Sequence, residues 1–88
     1  MGRDIKWDSD AWEDYCGWQQ TDKAITKRIN ALIKDAQRNP YNGIGKPEPL
    51  KYDLAGLWSR RINDTDRLTY KLVGDTLVIM ACKGHYDQ

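Results

Sequence analysis

Glu48, Arg67 and His85 are the residues of this 88-residue chain whose types together could do chemistry. A carboxylate can take the proton from a ribose 2′-hydroxyl, and an imidazolium can give one to a departing 5′-oxygen. A guanidinium can hold the phosphate while charge builds on it. Combined, they would cut RNA through attack of its own 2′-hydroxyl, a reaction that calls for no metal and no cofactor. His85 is the only histidine, so no imidazole pair exists and the base would have to be Glu48. Carboxylates are weak bases at neutral pH, near ~4.3 in model peptides. Such a site therefore depends on a substrate already placed in line for attack.

Each residue also has a plainer reading. A lone histidine near a C-terminus is usually a solvated surface residue, and Arg67 beside Asp66 can be a surface ion pair of little worth. Glu48 lies in Gly43-Ile44-Gly45-Lys46-Pro47-Glu48-Pro49-Leu50-Lys51, which can be a structural turn between a helix and a sheet. Yet the local sequence constrains this carboxylate closely. Pro47 fixes the approach and Pro49 steers Glu48 away from the α region, so it is held extended between Lys46 and Lys51.

The elements that must position these groups follow from periodicity. Ile5 and Trp7 alternate with Lys6, which predicts a short strand over Asp4–Trp7. Asp8, Ser9 and Asp10 offer caps for a first helix running to about Gln20, with Trp12, Tyr15 and Cys16 on one face. Ile25, Ile29, Leu32, Ile33 and Ala36 then predict an amphipathic helix over Lys23–Arg38, ended by Asn39-Pro40. Residues 57–62 alternate as a half-exposed strand, and Asn63-Asp64-Thr65-Asp66 reads as a turn. Residues 67–73 form the next strand, with Leu68, Tyr70 and Leu72 facing inward and Arg67, Thr69 and Lys71 on a polar, concave, open face. Gly74-Asp75 turns the chain into the apolar run at 76–82, a strand buried on both faces.

The expected fold is α+β: a small twisted antiparallel sheet with an N-terminal helical hairpin on one face. Residues 1–88 should form a single domain. Antiparallel pairing puts the start of the Arg67 strand beside the end of the 76–82 strand, and hence near His85. Whether Glu48 reaches the same edge stays open at this level.

Composition excludes several classes. The net charge of +1 rules out nucleic-acid binding by bulk charge. Residues 44–71 still carry six basic residues (Lys46, Lys51, Arg60, Arg61, Arg67 and Lys71) against four acidic ones. Apart from Arg67, these basic residues (Lys46, Lys51, Arg60, Arg61 and Lys71) are candidate RNA phosphate contacts. No apolar run is long enough to cross a membrane, and no signal peptide is recognisable, so a cytoplasmic protein is expected. Cys16 and Cys82 lack metal-ligand spacing and are expected to be reduced and packed.

Several motifs resemble the YoeB toxins of the RelE superfamily. They are Gly45-Lys46-Pro47-Glu48-Pro49-Leu50-Lys51, Trp58-Ser59-Arg60-Arg61-Ile62, Arg67-Leu68, Tyr70, the terminal His85-Tyr86 and Trp18-Gln19 with Thr21-Asp22-Lys23. The similarity runs from Ile5 to Tyr86. It implies the RelE-like microbial ribonuclease fold and the toxin half of a type II toxin–antitoxin pair, cutting mRNA in the decoding site of the 70S ribosome. It further implies Glu48 as general base, His85 as general acid, Arg67 as phosphate stabiliser, Tyr86 as an orienting residue and Lys51 as a backbone-phosphate contact. Its implied partners are a YefM-type antitoxin, a second copy in a homodimer, and operator DNA only through the antitoxin. Two alternatives remain: a ribosome-binding inhibitor that does not cut, or an inactive relative acting as an antitoxin-bound co-repressor. Asp66 departs from the histidine common in the family. Gly84 replaces a bulkier residue, which loosens the approach to His85.

Overall fold

Asp8, Asp22 and Asn39 punctuate the helical half of the chain. Asp8 accepts a hydrogen bond from the Asp10 amide at 3.2 Å and starts α1, Ser9–Thr21. Asp22 ends α1 and caps the next helix, its carboxylate accepting from the Ile25 amide at 3.1 Å. That helix, α2, spans Lys23–Arg38. An aspartate serves here because its short carboxylate satisfies amides that the first helical turn leaves without partners. The computed structural model describes residues 2–84; His85 and Tyr86 lie outside the described residues.

The strands are β1 (Asp4–Trp7), β2 (Glu48–Pro49), β3 (Trp58–Arg61), β4 (Arg67–Val73) and β5 (Thr76–Ala81). They form one sheet in the order β1-β5-β4-β3-β2. The pairs from β2 to β5 are antiparallel, as expected, but β1 joins the outer edge of β5 in parallel, with Ile5 opposite Leu77. No tight turn ties β1 to its neighbour, so hairpin chemistry does not set its direction. A register shift beside Thr69 and Tyr70 kinks the β4–β5 ladder.

The helices cover one face. Ile29, Leu32, Ile33 and Ala36 of α2 pack with Ala11 of α1 and with Leu68, Tyr70, Leu77 and Ile79 of the sheet. The expected aromatic face of α1 is only partly inside: Ala11 is buried, whereas Trp12 is 48% exposed. Cys16 and Cys82 are both free. Burial pushes the Cys82 thiol up to about 12, which leaves it inert as a nucleophile.

One sequence expectation is overturned in this core. Arg60 is not an RNA contact; it is 0% exposed and points toward the helices. Its guanidinium donates to the Tyr70 hydroxyl, the Asp35 carboxylate and the carbonyls of Asn39, Asn42 and Ile44. Every N–H of the guanidinium is thus used. Strand parity decides the matter, because Arg60 shares the inward side with Trp58 and Ile62 while Arg61 points the other way. The pairing lowers the Asp35 pKa, chiefly through the Arg60 hydrogen bond, against a smaller rise from burial.

Candidate active site

The Arg60 knot fixes the chain that leads to Glu48. Asp35 accepts from the Ile44 amide at 3.0 Å as well as from Arg60 at 2.6 Å. Gly45 then passes so close to the core that a Cβ there would lie 2.6 Å from Leu32 Cδ2, and its φ is +79°. Only glycine meets both demands without strain. The Gly45 carbonyl accepts from the Arg61 amide at 2.7 Å, laying the loop onto β3. Two residues of strand follow, and Glu48 pairs with Ser59. The extended conformation expected from Pro47 and Pro49 is therefore realised as an edge strand, where prolines are tolerated.

Arg67 opens β4, one strand beyond β3, and pairs with Arg61. Its side chain reaches across β3, and Nη1 lies 3.2 Å from Glu48 Oε1. Both partners are accessible, at 35% for Arg67 and 53% for Glu48. Glu48 and Arg67 thus converge on the face away from the helices, a meeting the sequence left open for Glu48.

Backbone contacts bring the end of the described chain to the same place. The Arg67 amide donates to the Gly84 carbonyl at 2.8 Å, and the Gly84 amide donates to Asp66 Oδ1, also at 2.8 Å. Gly84 adopts φ +68°, a left-handed conformation that a bulkier residue would resist. Burial raises the Asp66 pKa, but hydrogen bonds from Gly84, Asn63 and Thr65 with the charge of Lys83 outweigh it, and the net shift is downward. Sequence reading passed over Asp66 as a turn residue. Its available signal was the Asn63-to-Asp66 cluster, whose side chains hold a turn by bonding nearby amides.

The expected open polar face is more closed than its residue types suggest. Ser59 is 2% and Thr69 1% exposed, and they stand opposite each other in the row that runs from Glu48 to Ala81. Arg67 and Lys71 are half-buried. Strand parity assigns a face but not what lies over it. Lys46 and Lys51 are exposed on either side of Glu48, and Arg61 is exposed and paired with Asp64. Lys71 pairs with Val78, about 13 Å along β4 from Arg67 at the usual rise per residue. The site thus gathers Glu48 and Arg67, with Lys46, Lys51 and Arg61 nearby in the chain or the ladder and Lys71 further off.

Residues 7–86 match the protein family described as YoeB-like toxin of bacterial type II toxin-antitoxin system. The chain belongs to this family. Toxin YoeB of Escherichia coli strain K12 is 55% identical over 80 residues, which are 91% of this chain and 95% of that protein. Among solved structures, the YoeB dimer from Staphylococcus aureus aligns with a TM-score of 0.90 at 45% identity, covering 98% of this chain and all (100%) of that one. The toxin in a YoeB–YefM complex from the same organism aligns at 0.88 with 44% identity, with the same coverage of 98% and 100%. This YoeB-like chain is accordingly a toxin of a type II toxin–antitoxin system with the RelE-like fold of its structural neighbours. Its Glu48–Arg67 pair sits on the sheet face that the helical hairpin leaves uncovered.

Proposed function

We propose that this toxin is a ribosome-dependent mRNA endoribonuclease that stops translation by cutting the message through its own 2′-hydroxyl. The observation that carries this reading is the Glu48–Arg67 bridge at 3.2 Å, exposed on the sheet face and adjoining the Gly84 backbone that leads to His85. Glu48 takes the 2′ proton as the 2′-oxygen attacks phosphorus. Arg67 leaves Glu48 for the phosphate and holds its non-bridging oxygens as charge accumulates. His85 protonates the departing 5′-oxygen, giving a cyclic phosphate and a 5′-hydroxyl end. Tyr86 orients the substrate, while Lys46, Lys51, Arg61 and Lys71 meet backbone phosphates. Carboxylates as a class are weak bases, so the reaction depends on substrate placement, and the decoding site of the 70S ribosome supplies it.

The cellular setting follows from the same reading. In the cytoplasm the toxin is held by a YefM-type antitoxin and reaches operator DNA only through it. The Staphylococcus aureus complex and dimer support both that partner and a homodimer. Self-association is further supported by the exposed Ile5 and Trp12, apolar surface of the kind that interfaces cover.

The test is a time course on one end-labelled mRNA at fixed toxin concentration, with and without ribosomes programmed by that message. Cutting within the occupied codon should accelerate by orders of magnitude when ribosomes are present. Glu48→Ala and His85→Ala should each slow it by roughly 10²–10⁴. Equal rates in the two arms would leave a general ribonuclease, and intact mRNA on stalled ribosomes would leave an inhibitor that blocks without cutting.

A further inference from the structure

Ser59 carries a hydroxyl that no described residue engages. It lies in β3, is 2% exposed, and among the described residues its Oγ has no hydrogen-bond partner. A buried hydroxyl without a partner costs stability that alanine at the same place would not. Such a cost, beside a candidate base, points to a role in another state of the site.

The sheet register says which group Ser59 can serve. Its direct partner on β2 is Glu48, and opposed side chains on one face have their Cβ atoms only about 4.5–5.5 Å apart. The Arg67–Glu48 bridge joins β4 to β2 and so crosses β3 on the side where Ser59 projects. In the free protein, then, the carboxylate is drawn toward the guanidinium. When Arg67 turns to a phosphate, Glu48 loses that donor while still needing one orientation. A serine hydroxyl reaches a new acceptor by rotation about a single bond between staggered wells.

We propose that Ser59 is a positioning residue for Glu48: once Arg67 engages the phosphate, Ser59 Oγ–H donates to the Glu48 carboxylate and holds it toward the 2′-hydroxyl. This inference rests on the reading of Glu48 as base. Ser59 itself touches no substrate, and its hydrogen bond replaces the one that the guanidinium withdraws.

The experiment is a double-mutant cycle of Ser59→Ala, Glu48→Ala and the combined variant. Single-turnover cleavage is followed on ribosomes programmed with one end-labelled mRNA, over a range of toxin concentrations, and each variant's thermal midpoint is measured. Ser59→Ala should cut roughly ten- to a hundredfold more slowly at saturation, the worth of a hydrogen bond to a charged group. Its half-saturating concentration should be unchanged and its midpoint equal to or above the parent's. In the Glu48→Ala background the serine replacement should have no further effect, since its action passes through the carboxylate. A Ser59→Ala variant at the parent's rate overturns the proposal. So does a slow variant with a lowered midpoint, or a loss that persists in full without Glu48. Glu48→Ala cutting at the parent's rate would instead remove the base reading, and the role of Ser59 with it.

Discussion

Two arginine–carboxylate pairs, built from neighbouring strands, behave as opposites. Arg60 and Asp35 are 0% and 17% exposed, meet at 2.6 Å, and belong to a network in which Tyr70 and three backbone carbonyls share the guanidinium. Arg67 and Glu48 are 35% and 53% exposed, meet at 3.2 Å, and share a single hydrogen bond. The first pair has no spare donor and holds the loop at 39–45 against the core. Among the described residues the second is held by that one contact and stays accessible to solvent, which would let a phosphate compete for its arginine. Charge alone does not tell the two arginines apart; among the described residues, the number of hydrogen-bond partners each guanidinium has does.

Breaking the two pairs should separate them most sharply. Arg60→Ala leaves a carboxylate and several carbonyls without their donor and should cost about 3–5 kcal/mol in urea unfolding. Arg67→Ala removes a solvated bridge and should cost less than about 1 kcal/mol. In ribosome-programmed cleavage, Arg67→Ala should slow the reaction by roughly 10²–10³. Similar unfolding losses for both would erase the distinction.

A smaller effect is expected where the second site is anchored. Asp66→Ala frees the Gly84 amide and should cost about 1.5–3 kcal/mol at most, the range for a hydrogen bond to a charged acceptor. Amide exchange at Gly84 should quicken, and cleavage should slow with it. Asp66→Asn keeps an acceptor oxygen and should fall between the two. Unchanged Gly84 exchange in the alanine variant would show that the Arg67 contact to Gly84 suffices as anchor.

The slightest difference lies in pH dependence. Asp35 and Asp66 both have pKa values lowered from 3.8 on folding. The stability they add is complete above that unfolded value and is lost as pH falls through the lower folded one. Urea unfolding from pH 6 to pH 2 should therefore be level in this respect at first and weaken below about pH 4, in step with that linkage. Arg60→Ala removes the chief cause of the Asp35 shift, so its acid weakening should be shallower. An equally steep acid limb in that variant would place the linkage elsewhere.

The chain's own letters determined much of this molecule. The spacing of Ile29, Leu32, Ile33 and Ala36 determined α2 and its buried face, and Gly74 with the alternation around it determined the β4–β5 hairpin. Pro47 and Pro49 determined that Glu48 would be extended. These are local or periodic effects, written within a few residues of where they act. The motifs around Glu48 and Arg67 also carried the family resemblance. Tertiary structure decided the rest. It set β1 parallel to β5, left Trp12 outside while Ala11 went in, and closed the face around Ser59 and Thr69. It sent Arg60 into the core and Arg67 to the site, although both looked like surface cations. That choice depends on which carbonyls and carboxylates lie within hydrogen-bond reach. Asp35 and Asn39 come to Arg60 from α2 and its end, 25 and 21 residues away, and no local pattern encodes that meeting.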